Sequence, residues 1–329
     1  MVDNDKNQAP LLQVDSLCVE HVDPAGRHGR MVVRDVSLAV PDGGVLAVTG
    51  QSGAGKSTLG LAIMGLLGEG LRVVSGRVQF YGESVEMVPA GNEQDVGLVS
   101  ARNGRAFTVF QEPRASLNPY LDIGAQIDEC LRSNGHAPQG PEMVERRSEC
   151  LRSVGIAPER SGFLPSELST GQCQRVMIAM ALALGSSLLV GDEPLARVDF
   201  RVGRQLIALL KQLKLERRMS MLLLTHDLDL IREVADWVAV IYGGEIVEEG
   251  PCKTVLDGDK DSVHPYTCAL RRAYDCFCMA GATTQTTPAS GCCYATQCPA
   301  RAAGCLDGRP SFVELPEGHR VRCLFAEKK

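Results

Sequence analysis

From Leu11 onward, apolar and polar positions alternate: Leu12, Val14, Leu17 and Val19, then Val32, Val33, Val36, Leu38 and Val40. That period predicts strands of a small antiparallel sheet, joined by the turn Asp23-Pro24-Ala25-Gly26. Val45 to Thr49 is a short, unbroken apolar run, as a buried strand requires. Thr58 to Leu67 follows as a helix rich in Leu, Ala, Ile and Met. A strand pair surrounds residues 76–82, and another strand covers 106–111. From about Ile123 to Ala183 the pattern is helical, with loops at Asn134-Gly135 and Ala157-Pro158. Strand–helix alternation then resumes with Leu188–Val190, a helix near Val202–Leu215, Met221–Thr225 and a helix near Leu228–Asp236. Val238–Tyr242 and Glu245–Glu248 form a hairpin over Gly243-Gly244. This order predicts an α/β chain with a mainly parallel sheet, helices on both faces and a helical insert. The sequence shows no internal repeat, so it carries one such unit.

Gly50-Gln51-Ser52-Gly53-Ala54-Gly55-Lys56-Ser57 fits the phosphate-loop pattern, and its strand-before, helix-after context fits as well. Glycines let the backbone fold around a phosphate with its N–H groups inward, at a helix N-terminus. Lys56 then reaches the β- and γ-phosphates, and the Ser57 hydroxyl ligates Mg²⁺. Gly50, Ser52, Gly53, Gly55, Lys56, Ser57 and Thr58 are the expected nucleotide-binding residues.

Leu188 to Val190 leads through Gly191 into two carboxylates, Asp192 and Glu193. Beside a phosphate loop, Asp192 can hold Mg²⁺ through water and Glu193 can orient or deprotonate the attacking water. Upstream, Leu168-Ser169-Thr170-Gly171-Gln172 opens an apolar helix, a second anion cradle. Downstream, Thr225-His226-Asp227 closes a Leu/Met strand and puts His226 in reach of a γ-phosphate.

Together these motifs resemble the ATP-binding subunit of an ABC transporter, and the likeness runs through nearly the whole chain. It implies an ABC-type P-loop ATPase with a parallel core, a small antiparallel β subdomain, a helical signature subdomain and a Cys-rich C-terminal extension. By that likeness Gln111 is the Q-loop glutamine, which senses Mg²⁺ and contacts the membrane subunit. Ser169, Gly171 and Gln172 belong to the signature that meets a partner's ATP, Asp199 to the D-loop, and His226 is the switch histidine. The expected catalytic set is Glu193, His226 and Gln111, with Mg²⁺ on Ser57, Gln111 and Asp192. Val109-Phe110-Gln111-Glu112-Pro113, Ser116-Leu117-Asn118-Pro119, Gln174 to Ala181, and the tail pieces His264 to Leu270 and Gly318 to Cys323 are similar to the dipeptide/oligopeptide/nickel importer subfamily. The implied protein energises peptide import at the cytoplasmic face of the inner membrane, peripherally. Its partners would be two transmembrane permeases, a second ATP-binding subunit (identical or different) and, indirectly, an extracytoplasmic solute-binding protein. Nickel, metal-chelate or opine import by the same machinery is the near alternative. A soluble, non-transport ABC ATPase is the alternative from another class. The expected division is a nucleotide-binding domain over residues 1–250, its helical subdomain at about 115–185, and an extension over 251–329.

Three departures from the family pattern stand out. Thr170 occupies a usual glycine position, and a β-branched residue is stiff there, so the site it completes is expected to hydrolyse slowly and a low-turnover partner role stays open. Arg197 adds a charge to the D-loop region. No Phe, Tyr or Trp precedes Gly50 to stack on adenine, which leaves His21, His28 or Arg30 for that task.

The 329 residues carry a net charge of −6, which argues against a nucleic-acid partner. The polar start, Met1 to Pro10, lacks the apolar segment of a signal peptide. Nine of the thirteen cysteines are scattered, and most of these are expected to be reduced. Cys292, Cys298, Cys305 and Cys323 share a Gly/Pro/Thr-rich tail with little to bury, which points to a metal staple. Their spacing lacks the close pairs of zinc sites. A [4Fe–4S] cluster tolerates irregular spacing, and likeness to peptide-importer ATPases favours it. Cys293 is a substitute ligand, and free thiols are the alternative.

Overall fold

The structure is a computed structural model and describes residues 10–22, 28–81, 83–86, 105–133, 139–259, 262–276 and 290–326. The expected turn at Asp23–Gly26, the loop at Asn134-Gly135, Cys278 and the His28 side chain lie outside them. The strands in chain order are β1 (Leu12–Val22), β2 (His28–Val40), β3 (Val45–Thr49), β4 (Leu71–Phe80), β5 (Glu83–Glu86), β6 (Ala106–Val109), β7 (Leu188–Asp192), β8 (Ser220–Leu224), β9 (Trp237–Tyr242), β10 (Glu245–Pro251), β11 (Val313–Glu314) and β12 (Arg320–Val321). The chain divides into two compact units, one of residues 1–97 with 224–329 and one of residues 98–223.

In the first unit, β2, β1, β4 and β5 form an antiparallel sheet in that order. Its bulges kink β1 at Ser16–Leu17, where Gly76 of β4 runs so close that a Cβ would lie 2.6 Å from the Leu17 Cα. The same unit carries the run β11-β12-β10-β9-β3, in which β9 lies parallel to β3 and the remaining pairs are antiparallel. Every residue of β3 is buried, as the unbroken apolar run requires. Helix Lys56–Met64 buries Leu59, Ile63 and Met64, each contributing roughly 2 kcal/mol by leaving water. The hairpin between β9 and β10 turns on Gly243 and Gly244, at φ 57° and 85°. Positive φ at both central residues matches the twist of the strands.

In the second unit, β6 pairs parallel with β7, and β7 neighbours β8. Helices Ile123–Ser133, Pro141–Ser153 and Thr170–Leu184 make the expected helical insert. A short 3₁₀ turn, Pro158–Gly162, stands where the Ala157-Pro158 loop was expected. Helix Phe200–Arg217 starts two residues before the apolar period does, because Asp199 caps it. Among the described residues no helix is long and apolar enough to cross a membrane.

Candidate functional site

In the first unit, β3 delivers the chain into the loop at Gly50, and close approach explains two of its glycines. A Cβ on Gly50 would lie 2.2 Å from the Ile241 carbonyl oxygen, and one on Gly55 2.8 Å from that of Val32. Gly53 and Gly55 also have φ of 78° and 105°, where L side chains are strained. The hairpin tip braces the loop: Gly244 N–H donates to the Ala54 carbonyl at 3.0 Å. The buried Lys56 lays its ammonium along the loop, donating to the carbonyls of Gly50 (2.7 Å) and Gln51 (3.3 Å). Ser57 and Thr58 follow in the first helical turn, whose positive end favours an anion. His226 is exposed just beyond β8, and Thr225 before it donates to the Val48 carbonyl at 3.0 Å. The structure thus brings the histidine's chain segment alongside the strand that carries the loop.

A residue that the sequence pattern did not single out also reaches this loop. The Tyr266 hydroxyl accepts a hydrogen bond from Gln51 N–H at 2.8 Å. Helix Pro265–Asp275 positions it, and the ring sits in a cluster with Tyr242 (4.7 Å between centroids) and Tyr294 (5.3 Å). Burial pushes the Tyr266 phenol's pKa up, so it stays protonated. Tyr266→Phe keeps the ring and removes one hydrogen bond worth about 1 kcal/mol, so the Kd for ATP is expected to rise about fivefold with folding unchanged. An ATP titration of wild type and variant checks this.

In the second unit, the parallel register pairs Val109 with Gly191. Both strands therefore end nearly together: Asp192 is the last residue of β7, and Gln111 and Glu193 lie just beyond the carboxyl ends, where α/β sheets bind ligands. Glu193 sits at φ 48°, a left-handed conformation uncommon for a non-glycine residue. Ser169 caps helix Thr170–Leu184: its hydroxyl accepts from Gln172 N–H at 3.3 Å, while the Gln172 side chain accepts from Ser169 N–H at 2.9 Å. This capping box was foreseeable from the Ser-x-x-Gln spacing. Gly171 has a packing role as well, since a Cβ there would lie 2.3 Å from Val202 Cγ1. Asp199 accepts from Val202 N–H at 2.9 Å, so the expected D-loop residue is also a helix cap. Thr170 and Arg197, two of the departures, line one open cavity of about 400 Å³ with Gln111, Glu112, Pro113, Arg114 and Ala115.

The tail meets its expectation only in part. Backbone bonding sets Cys292 against Cys305, with Cys292 N–H donating to the Cys305 carbonyl at 2.8 Å. Cys298 and Cys323 lie close enough to feel the charges of Cys292 and Cys305. Yet among the described residues no three His, Cys, Asp or Glu side chains are grouped to hold a metal ion. The Cys292 thiol is engaged by Cys293 and His264, which lower its pKa, while burial raises those of Cys298 and Cys323. Of the adenine-stacking candidates, His21 lies with its ring beside Gly70, and Arg30 is exposed on β2.

A buried strand, a glycine-built anion loop and a helix opening on Lys56 define a P-loop nucleotide-binding protein. The family model for the ABC transporter matches residues 33–196. The chain is 34% identical to the dipeptide transport ATP-binding protein DppD of Escherichia coli (strain K12), covering 96% of each chain. It is 34% identical to DppD of Haemophilus influenzae, covering 88% of each. Among solved structures it is similar to the dimeric structure of a bacterial ABC transporter cassette, with TM-score 0.61 and 23% identity over 73% of this chain and 98% of that one. It is also similar to cbiO1 from Clostridium perfringens, part of an ABC transporter complex, with TM-score 0.60 and 24% identity over 75% and 91%. The chain belongs to the ABC transporter family as an ATP-binding subunit, an ATPase that takes ATP with Mg²⁺.

Proposed function

We propose that this chain is the ATP-hydrolysing subunit of a peptide importer, peripheral to the cytoplasmic face of the membrane. The observation that carries the reading is near end-to-end likeness to dipeptide transport ATP-binding proteins, at 34% identity over 96% of the chain. The loop geometry supports the nucleotide half of it. Gly50 and Gly55 allow close backbone approach, Gly53 supplies a positive φ, Lys56 neutralises the β- and γ-phosphates, and Ser57 supplies a hydroxyl to Mg²⁺. Asp192 and Gln111 serve the same ion, Glu193 orients or deprotonates the attacking water, and His226 contacts the γ-phosphate. Ser169, Gly171 and Gln172 face the ATP of a second subunit, identical or different. The nucleotide-binding domain spans residues 1–250 and the importer-type extension 251–329. Work leaves the chain through the segment after Gln111, which meets a permease.

The finer part of the reading is an iron–sulfur cluster on Cys292, Cys298, Cys305 and Cys323, supported by the presence of these four cysteines within residues 292–323. One preparation tests both parts: anaerobic affinity purification through a tag on this chain, in mild detergent, from its native membranes. Two multi-span permeases and a second ATPase are expected to co-purify, with iron and acid-labile sulfide bound. Recovery of only ribosomal or nucleic-acid proteins overturns the importer, and a metal-free, folded complex overturns the cluster.

A further inference from the structure

The turn behind Glu193 is held from two sides. Ala196 N–H donates to the Glu193 carbonyl at 2.9 Å, closing the turn. The buried Gln174 side chain, from helix Thr170–Leu184, donates to the Pro194 carbonyl at 2.6 Å. The far end of the turn is Arg197, itself left-handed at φ 59°. A left-handed arginine is unfavourable on its own, and here its guanidinium meets Glu112 at 2.7 Å. Glu112 is the residue after Gln111, at the head of the short helix Pro113–Ser116. From the same helix, Arg114 donates to the Leu168 carbonyl, next to the cap residue Ser169. One short segment thus grips both the turn after the catalytic carboxylate and the start of the signature helix.

We propose that Arg197 is a positioning residue for hydrolysis: its ion pair with Glu112 holds the turn that aims Glu193 and ties that turn to the segment following Gln111. The inference rests on the ATPase reading above. Both partners are largely exposed, with side chains 67% and 56% accessible, so the pair adds little to stability and is free to break and re-form. Its effect therefore belongs to turnover and not to folding.

The test uses the complex purified through a tag on this chain, with steady-state Mg-ATP hydrolysis and thermal unfolding measured on each variant. Arg197→Ala and Glu112→Ala are each expected to lower kcat about fivefold, the upper end of what an exposed pair supplies. KM for ATP and the unfolding temperature stay unchanged. The charge swap Glu112→Arg with Arg197→Glu is expected to restore kcat to near wild type. Arg197→Gly separates the pair from the backbone, because glycine takes this φ without strain; it should fall as Arg197→Ala does. Unchanged kcat in Arg197→Ala, full activity in Arg197→Gly, or a swap no better than the single variants overturns the proposal. A wild-type complex without ATP hydrolysis overturns the ATPase reading itself, and this inference with it.

Discussion

Glu193→Gln is expected to abolish turnover while ATP stays bound. The substitution keeps the size of the side chain and its left-handed backbone at φ 48°, so the turn toward Arg197 is not asked to rearrange. In the role proposed for Glu193, it removes only the carboxylate's ability to take a proton from, or orient, the attacking water. General-base catalysis is worth roughly 10²- to 10⁴-fold, so kcat should fall by about that factor. The phosphate loop is untouched: Lys56 still bridges the carbonyls of Gly50 and Gln51, and the glycines still open the backbone. Retained radiolabelled ATP after rapid gel filtration, together with kcat, measures both halves. Full activity in the variant would reassign Glu193. A fall in unfolding temperature matching the loss of activity would make its role structural.

The second large effect is expected at a buried carboxylate of β10. Glu248 of β10 is fully buried and accepts from His264 N–H at 2.8 Å and from the Thr267 hydroxyl, while His319 Nε2 lies 2.8 Å from its other oxygen. Those three partners come from a loop, a helix and the segment leading into β12, so one carboxylate gathers the extension onto β10. Packing is equally tight there: a Cβ on Gly250 would lie 3.1 Å from the His319 Cα. Glu248→Ala removes the acceptor and strands three buried polar groups at once. Breaking such a buried network costs about 3–5 kcal/mol, which lowers an unfolding temperature by about 10 °C. Glu248→Gln, which keeps shape and one acceptor oxygen, should lose less. Differential scanning calorimetry, with limited proteolysis reporting the extension, checks the pair. Equal stability of wild type and Glu248→Ala would mean that the extension is held by the Tyr242, Tyr266 and Tyr294 rings instead.

Much of the site was legible because its chemistry is local. A phosphate loop needs glycine at set steps between a strand and a helix, and β3, Gly50 to Gly55 and helix Lys56–Met64 fall in that order. The hairpin turn at Gly243-Gly244 was readable for the same reason, since only glycine takes both positive φ values without strain. Less was legible where a residue has two roles. Gly171 and Asp199 were assigned from motif likeness, and the structure adds a close helix contact and a cap to them. The cysteine tail shows the opposite limit: composition points to a ligand set but does not say which groups each thiol meets, and Cys292 meets Cys293 and His264.

By itself the sequence determined the order of strands and helices, the phosphate loop, the carboxylate strand and the family. Those depend on periodicity, on allowed φ and on residue types within a few positions of one another. Only the tertiary structure decided that Tyr266 reaches back to Gln51 N–H across 215 positions, that Glu112 meets Arg197, and that Glu248 collects His264, Thr267 and His319. A polar side chain's partner is set by which backbones the packed core brings within about 3 Å of it, and a one-dimensional pattern of apolar and polar positions does not carry that distance.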